Sequence, residues 1–264
     1  MMPGQTAPLG RGDHRRDEQH APASPVLELR GVSRVHGEGE QTVTALRGVS
    51  MSIRPGEFVA IMGPSGSGKS TLLHLAGGLD VPTSGAVLIE GQPMERMSAA
   101  ERALMRRRSI GYVFQDYNLL PSLTAVENVA FPLELDGWNA RRARRAASIE
   151  LERVGLAELA DRLPQDMSGG QQQRVAVARA LVGQRRLLLA DEVTGALDST
   201  TGRIVMGLLR ERADAGAAIM LVTHEPRFAS WADRTLFLRD GSLTGIATPS
   251  DLDRELSTMN GGHR

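Results

Sequence analysis

Short apolar stretches that suit β-strands recur along most of the chain, and segments with helical spacing lie between them. The strand-like stretches are VLELRGVSRV, TVTALRGVSMSI, EFVAIMG, AVLIE, IGYVF, RLLLADE, AAIMLVTH and TLFLRDG. The amphipathic segment STLLHLAGGL follows the third of these, and residues from about 122 to 165 have helical patterns. Strands that alternate with helices indicate a largely parallel sheet covered on both faces. The pattern therefore predicts an α/β fold with a helical insertion.

Composition divides the chain into one long domain and two tails. Residues 1–24 are rich in Pro, Gly, Arg, His and Asp, and we expect them to be disordered because they have little apolar surface to bury. The domain is predicted over residues 25–245, with its helical part at about 116–168. Residues 246–264 form a C-terminal tail whose sequence gives no interpretable signal.

Net charge and hydropathy argue against nucleic acid as a partner and against direct membrane insertion. The 264 residues include 31 acidic and 31 basic side chains and no cysteine. A net charge of zero does not indicate a nucleic-acid surface. No apolar run approaches the roughly 18 residues that a membrane-spanning helix needs, so we expect no direct membrane insertion. The lack of cysteine is compatible with a cytoplasmic location.

A run of arginines raises the question of a nucleic-acid site. Four arginines lie between residues 141 and 145, in a segment that reads as a helix. Glu150 and Glu152 follow on the same segment. This mixture of charges favours a solvated helix face over a nucleic-acid site.

The stretch GPSGSGKST, from Gly63 to Thr71, matches the phosphate-loop motif G-x-x-x-x-G-K-[ST] in full. It follows a predicted strand and opens a predicted helix, which is the context that the motif requires. Glycines allow the backbone N–H groups to face a polyphosphate. Lys69 would reach the β- and γ-phosphates, and the Ser70 hydroxyl could ligate Mg²⁺. Lys69 is the only lysine among the 31 basic residues, which strengthens the assignment because a point charge suits the enclosed loop better than a guanidinium does.

A second acidic element follows a buried strand. In RLLLADE, four apolar residues precede Asp191 and Glu192, which emerge where a parallel sheet binds ligands. Asp191 would hold Mg²⁺ through water, and Glu192 would orient and polarise the attacking water. Two adjacent acidic residues after a strand often mark only the solvated end of that strand. Together with the phosphate loop, they predict an NTP-hydrolysing site.

The segment MSGGQQQRVAVARAL predicts a well-capped helix, because Ser168 and Gln171 have capping-box spacing. Its string SGGQ also resembles the signature of the ABC-type ATPases. Further motifs in that family's order support the resemblance over about residues 26–245: Gln115 in a Q-loop, Asp198 in a D-loop and His224 as a switch histidine. The resemblance implies a P-loop NTPase fold with a RecA-like core, a mostly parallel central sheet, an antiparallel β subdomain and an inserted helical subdomain.

The resemblance also implies a site shared between two copies of the ATPase. Two domains would pack head to tail, with each ATP between the phosphate loop of one and the signature of the other. Ser168 and Gly170 would contact the γ-phosphate of ATP on the partner. Gln115 would sense Mg²⁺ and the attacking water, and His224 would hydrogen-bond the γ-phosphate. A single copy should then hydrolyse ATP poorly.

The implied site residues fall into three overlapping groups. Those expected to bind ATP are His36, Gly63, Pro64, Ser65, Gly66, Ser67, Gly68, Lys69, Ser70, Thr71, Gln115, Ser168, Gly169, Gly170, Gln171 and Asp198. Those expected to hold Mg²⁺ are Ser70, Gln115 and Asp191, and those expected to act in catalysis are Lys69, Gln115, Glu192 and His224.

Within the family, the stretches FQDYNLLPSLTAVENVAFPLEL and LADEVTGALDS resemble the lipoprotein-release and macrolide-export group. That resemblance implies an ATP-dependent homodimer, or a pair with another ATPase subunit, on the inner face of the cell membrane. An integral-membrane permease, FtsX-like by this resemblance, would dock on residues 116 to about 138 and use the energy for efflux or for lipoprotein or peptide export. The related cell-division ATPase FtsE, which signals mechanically and transports no solute, is the alternative.

The chain departs from the family pattern at two positions. His36 stands where this group commonly has an aromatic residue that stacks on adenine, and an imidazole is a smaller π-face. His36 is equally well explained as an ordinary loop residue. Val193 replaces the usual proline after Glu192, which frees one φ angle and removes no reactive group. We expect activity to survive the change at Val193, and stacking on His36 would give weaker nucleotide affinity or base selectivity.

Other phosphate-loop proteins fit the sequence less well. ABC ATPases that act on DNA or ribosomes typically carry long coiled coils, zinc motifs or paired ATPase units, and none is visible here. A GTPase would need a second lysine in its guanine-recognition motif. Kinases and helicases would not explain the SGGQ string.

Overall fold

The structure is a computed structural model that describes residues 23–37, 39, 42–193, 195 and 197–252. The tail predicted over residues 1–24 therefore lies almost entirely outside the described residues, as do residues 253–264 of the C-terminal tail. The described β-strands are β1 (Leu27–His36), β2 (Val43–Ile53), β3 (Phe58–Met62), β4 (Ser84–Ile89), β5 (Gln92–Pro93), β6 (Ile110–Val113), β7 (Leu187–Asp191), β8 (Ala218–Val222), β9 (Arg234–Arg239) and β10 (Ser242–Ala247). The α-helices are α1 (Lys69–Ala76), α2 (Ala99–Ser109), α3 (Ala125–Leu135), α4 (Ala140–Arg153), α5 (Gly169–Leu181), α6 (Ser199–Asp214) and α7 (Pro226–Ala229).

A six-stranded sheet forms the centre of the fold. Its order is β10-β9-β3-β8-β7-β6, with parallel pairing from β9 through β6 and an antiparallel edge strand, β10. The registers place the carboxyl ends of β6, β7, β8 and β3 at one edge, where Val113 pairs with Ala190 and Asp191 pairs with Val222. The loops that carry Gln115, Glu192 and His224 and the phosphate loop leave the sheet at this edge.

Strands β3 and β8 are apolar throughout, and β7 is apolar up to Asp191, because both faces of this sheet are covered. In β3, Phe58, Ala60 and Met62 pack in one core, whereas Val59 and Ile61 pack in the other. The same alternation holds for β7 and β8. A strand buried on both faces shows no polar alternation, which explains why these segments read as continuous apolar runs.

The second sheet is antiparallel and four-stranded, in the order β2-β1-β4-β5. Its inner residues, such as Leu27, Leu46 and Ile53, share a core with α1 and one face of the central sheet. This sheet is the antiparallel β subdomain that the family resemblance implies.

Helices α3 and α4 follow β6 and pack with α5. Capping boxes start α2, α3 and α5, formed by Ser98 with Glu101, Thr124 with Glu127 and Ser168 with Gln171. Each box satisfies backbone N–H groups that the first helical turn leaves unpaired. The described part of the chain contains no helix long and apolar enough to cross a membrane.

Candidate active site

The phosphate loop joins β3 to α1, and its glycines are required by the space available. Gly68 has a left-handed φ of 102°, and a Cβ atom there would lie 2.4 Å from the carbonyl oxygen of Ala45. A Cβ at Gly63 would lie 2.1 Å from the carbonyl oxygen of Leu238. Gly66 is also left-handed, but a Cβ there would meet nothing within 4 Å. The loop is thus fixed at both ends against the rest of the fold and open to solvent at Pro64, Ser65 and Gly66.

The side chain of Lys69 folds back over this loop. Its ammonium donates hydrogen bonds to the carbonyl oxygens of Gly63, at 2.9 Å, and Pro64, at 2.8 Å. The residue is buried, and this burial lowers the pKa of Lys69, while the charges of Glu192 and Asp191 oppose the shift. A cation held by two neutral carbonyls and poorly solvated is well placed to pair with a polyphosphate.

Ser70 and Asp191 lie side by side next to the lysine. The Asp191 carboxylate, at the end of β7, is buried, and the exposed Ser70 lies next to it. Burial raises the pKa of Asp191, and the neighbouring Ser70 hydroxyl lowers it by less. Two adjacent oxygen ligands next to a phosphate loop suit a hard divalent cation.

Glu192 follows β7 and His224 follows β8, so both lie at the same edge of the sheet as Asp191. Glu192 has a left-handed φ of 47°, and its N–H bonds to the carbonyl oxygen of Val222 at 3.0 Å. Its Oε1 atom lies 3.4 Å from Nδ1 of His224. Backbone strain at a non-glycine residue is typical of functional positions, where the surrounding contacts maintain it. The Val193 side chain that follows is fully buried, so the residue in place of the family's proline packs into the core.

Gln115 follows β6 and is exposed at the same edge of the sheet. Arg179 on α5 fixes the loop after it, because the guanidinium donates to the carbonyl oxygens of Tyr117, at 2.6 Å, and Asn118. Burial lowers the pKa of Arg179 to about 10. Tyr117 and Asn118 both have left-handed φ angles. Sequence reasoning missed this arginine, since its distance from the loop along the chain gives no local signal.

A second missed feature is the turn between β9 and β10. The Gly241 N–H donates to the Ser67 carbonyl at 3.1 Å, and the Arg47 N–H donates to the Gly241 carbonyl at 2.8 Å. A Cβ at Gly241 would lie 2.8 Å from the carbonyl oxygen of Ala45. This turn therefore holds the phosphate loop against β2. The Asp-Gly pair was a visible turn signal, but nothing in the sequence indicated what the turn would contact.

The SGGQ segment occupies a separate place at the start of α5. The Ser168 side chain accepts from the Gln171 N–H at 3.3 Å, and the Ser168 N–H donates to the Gln171 side chain at 2.8 Å. Within the described residues, no hydrogen bond joins Ser168, Gly169, Gly170 or Gln171 to the phosphate loop. One chain thus carries two helix N-termini suited to phosphate, and no hydrogen bond between described residues links them.

Two further predicted residues also lie apart from Lys69. His36 is exposed at the end of β1 and pairs with Val43 of β2. Asp198 is the N-cap of α6, where its carboxylate accepts from the N–H groups of Thr200 and Thr201 at 2.9 and 3.0 Å. The Thr201 hydroxyl also donates to this carboxylate at 2.6 Å, and this bond, followed by the backbone bonds, lowers the pKa of Asp198. Its structural role in this chain is therefore to cap a helix.

Comparison with known proteins identifies the type of domain. A family model described as ABC transporter matches residues 46–195. The lipoprotein-releasing system ATP-binding protein LolD of Shewanella frigidimarina is 44% identical over 226 residues, which cover 85% of this chain and 95% of LolD. An uncharacterized ABC transporter ATP-binding protein of Thermotoga maritima is 48% identical over 221 residues, covering 84% of this chain and 94% of that protein.

A longer relative matches over only part of its length. The macrolide export ATP-binding/permease protein MacB of Brucella melitensis is 43% identical over 236 residues, which are 89% of this chain and 36% of MacB. The chain therefore spans about a third of that curated relative.

The solved structures include a dimeric ATP-binding cassette in a post-hydrolysis state bound to ADP and Pi. It superposes with a TM-score of 0.81 at 40% identity and covers 84% of this chain and 98% of the cassette. The predicted fold class and the resemblance to ABC ATPases are confirmed by these matches.

Proposed function

The chain belongs to the ABC transporter family of ATP-binding proteins, and on that premise we propose that it is the subunit that drives a separate membrane permease by ATP-dependent dimerisation. It is an ATP-hydrolysing domain of the transport type. The observation that carries the proposal is the split of the site: Lys69, Asp191 and Glu192 lie together, whereas the SGGQ helix end lies elsewhere on the same chain. Two copies packed head to tail would complete two sites.

Lys69 would bind the β- and γ-phosphates of ATP, because its buried ammonium already points over the loop that the phosphates would occupy. Glu192 would polarise the attacking water. Its left-handed backbone conformation fixes the position from which its side chain projects. His224 would contact the γ-phosphate while remaining next to Glu192. Gln115 would complete this group from the end of β6.

The residues present fit a Mg²⁺ ion. Ser70 and Asp191 provide neighbouring side-chain oxygen atoms, and burial of the Asp191 carboxylate leaves a charge that a cation would stabilise. The described residues contain no group of three or more His, Asp and Glu side chains that could form a metal site alone, so phosphate oxygens, Gln115 and water would supply the other ligands. When bound, Mg²⁺ supplies charge neutralisation for the phosphates.

Ser168 and Gly170 would contact the γ-phosphate on the opposite copy. The capping box fixes their backbone before any partner arrives, so the dimer would require little local ordering. The solved relative is described as a dimeric cassette, which supports the same arrangement here. His36 and Asp198 would approach nucleotide only at the edges of this composite site.

The permease would dock on an apolar groove beside the helical insertion. This groove has a volume of about 730 Å³ and is lined by Leu79, Leu104, Phe114, Pro132 and Leu135, among others. Leu79 and Leu135 are about half exposed, at 45% and 50%, which is unfavourable for large apolar side chains unless a partner covers them. The groove includes part of the docking segment predicted at residues 116–138. Its occupant would place the protein on the inner face of the membrane.

The relatives named for lipoprotein release and macrolide export make an export or efflux permease of the FtsX-like type the favoured partner. A regulatory, FtsE-like role without solute transport is the second candidate. The test is affinity purification of a tagged Glu192→Gln variant from its own membranes in Mg-ATP, with the bound proteins identified by mass spectrometry. A permease with a transport activity supports the first role, and a permease coupled to a cell-wall hydrolase supports the second. Recovery without any membrane protein, together with ribosomes or DNA, would contradict both.

A further inference from the structure

Residues 114–124 connect β6 to α3, and side chains from two helices hold their backbone. The buried Asn128 side chain on α3 accepts from one backbone N–H of the connection at 2.7 Å and donates to three of its carbonyl oxygens. Arg179 on α5 donates to the carbonyl oxygens of Tyr117 and Asn118. The connection lies outside regular secondary structure, so these side chains satisfy backbone groups that no strand or helix pairs.

Tyr117 and Asn118 are two successive non-glycine residues in the left-handed region, with φ angles of 60° and 48°. Such a pair persists only where the surrounding contacts favour it. The Arg179 guanidinium bonds to the carbonyl oxygens of these same two residues, and its burial lowers its pKa to about 10. A poorly solvated guanidinium depends on the acceptors that it has. The contact therefore fixes the backbone conformation of Tyr117.

The backbone of Tyr117 also determines where Gln115 lies. The Tyr117 N–H donates to the Phe114 carbonyl oxygen at 3.3 Å, which closes a turn whose central residues are Gln115 and Asp116. Phe114 follows β6 directly, so one end of the turn is joined to the central sheet and the other end is held by Arg179. The position of Gln115 at the candidate active site therefore depends on Tyr117.

The side chain of Tyr117 reaches the SGGQ segment. It packs against the core that includes Met167 and Val175, and its hydroxyl oxygen lies 3.2 Å from the position that a Cβ atom on Gly169 would take. This is closer than ordinary van der Waals contact, so the hydroxyl fits because residue 169 has no side chain. Gly169 begins α5 and Arg179 lies in its last turn, about 15 Å further along the helix. Tyr117 is thus in contact with both ends of α5.

We propose that Tyr117 is a positioning residue for ATP hydrolysis. Its backbone sets Gln115 for the ATP bound to its own copy, and its hydroxyl packs against Gly169 and so fixes the segment that faces the ATP on the partner copy. Arg179 acts through Tyr117 by holding its backbone. The inference rests on the proposed head-to-tail function, because only in that arrangement do Gln115 and the SGGQ segment serve two different ATP molecules.

Complementary substitutions in the full chain test the contact with Gly169. Gly169→Ala places a methyl group against the Tyr117 hydroxyl, and we expect turnover at saturating ATP to fall at least about fivefold. Tyr117→Phe keeps the ring and removes the hydroxyl, and should lower turnover by no more than about twofold. The double variant Tyr117→Phe/Gly169→Ala should recover most of the wild-type turnover. Binding of a fluorescent ATP analogue should be unchanged in all three, because Lys69 and the phosphate loop are untouched.

Arg179→Lys tests the backbone contact while it keeps the positive charge. An ammonium lacks the planar fork that reaches both carbonyl oxygens, so turnover should fall at least about tenfold with ATP affinity unchanged. Arg102→Lys is the matched control: this partly buried arginine of α2 donates to the Met97 carbonyl oxygen at 2.6 Å, away from the loop, and the variant should keep wild-type turnover. Urea unfolding of both variants shows whether a lower turnover reflects fewer folded molecules.

The outcomes separate this inference from the proposed function. If Glu192→Gln forms a dimer in Mg-ATP but Tyr117→Phe does not restore the turnover of Gly169→Ala, the head-to-tail function stands and the positioning role of the Tyr117 hydroxyl is wrong. Wild-type turnover in Gly169→Ala would reject that role in the same way, and a loss in Arg179→Lys that only follows the folded fraction would reject the backbone role. If Glu192→Gln binds ATP and remains a single chain, the proposed function fails and the inference fails with it.

Discussion

Oε1 of Glu192 lies 3.4 Å from Nδ1 of His224, although the two residues are far apart in sequence. Their strands explain the proximity, since Asp191 at the end of β7 pairs in register with Val222 at the end of β8. The contact is longer than a strong hydrogen bond, and catalytic contacts in a nucleotide-free site often tighten only when substrate binds. Glu192 and His224 therefore provide the geometry from which hydrolysis would start.

His224→Ala should lower ATP turnover by at least about tenfold. The γ-phosphate would lose a hydrogen-bond donor, and Glu192 would lose the neighbour that orients its carboxylate. ATP affinity should change little, since Lys69 and the loop remain. His224→Asn, which keeps a hydrogen-bonding group at shorter reach, should retain more activity. Phosphate release and nucleotide binding measured on both variants check this. Wild-type turnover in His224→Ala would remove the histidine from the mechanism.

Lys69 is the only lysine in the chain, so amine-reactive reagents report on one internal position. Burial lowers the pKa of Lys69 in the nucleotide-free protein, and the free amine should react with an acetylating ester at mildly alkaline pH. Saturating Mg-ATP should suppress that reaction strongly, because the phosphates cover the amine and stabilise its charged form. Peptide mass spectrometry separates this product from the labelled N-terminus. Equal labelling with and without ATP would show that Lys69 does not contact the nucleotide.

Gly66 and Gly68 form a matched pair for the phosphate loop. Both have left-handed φ angles, so alanine at either position should cost about 1–2 kcal/mol of unfolding free energy. Gly68→Ala should cost more, because its Cβ would also lie 2.4 Å from the Ala45 carbonyl oxygen and displace the loop. Urea unfolding and ATP titration of both variants test the difference. Equal losses would mean that the close approach of β2 does not constrain the loop.

Asp191 should make the nucleotide-free protein less stable at neutral pH. Burial raises the pKa of Asp191 above its ordinary value of 3.8, so the folded state binds this proton more tightly than the unfolded chain does. Its stabilising contribution is complete below pH 3.8 and is lost as the pH rises through the folded-state pKa. Asp191→Asn keeps an acceptor for Ser70 without the charge.

We expect Asp191→Asn to raise the melting temperature at pH 7 in EDTA and to abolish the further increase that Mg-ATP gives the wild type. Differential scanning calorimetry in both buffers measures these shifts. A lower melting temperature in EDTA would mean that the charge of Asp191 stabilises the fold.

Local patterns predicted the phosphate loop, the acidic pair and the capped SGGQ helix, because each motif needs only neighbouring residues. Central strands were equally visible, since burial on both faces produces uninterrupted apolar runs such as residues 187–190. The contacts that fix the loops were not predictable. Gly241 and Arg179 act on segments far away in sequence, and no spacing rule connects a turn or a helix to a distant carbonyl.

Helix α2 was also missed, although Ser98 and Glu101 have the spacing of a capping box. Its sequence is so rich in arginine that it lacks a continuous apolar stripe. The left-handed φ of Glu192 is a third feature that sequence could not give, because strain at a non-glycine residue depends on the contacts around it.

We propose that ATP joins two copies of this chain head to tail. Glu192→Gln should bind ATP with wild-type affinity, hydrolyse it about 10²–10⁴ times more slowly, and so accumulate the ATP-bound form. Light scattering on this variant should give the 28.4 kDa mass of one chain without nucleotide and twice that mass in saturating Mg-ATP. Adding Ser168→Arg, which places a bulky charge at the shared face, should restore the single-chain mass. A Glu192→Gln protein that binds ATP fully and keeps the mass of one chain would show that ATP does not join two copies.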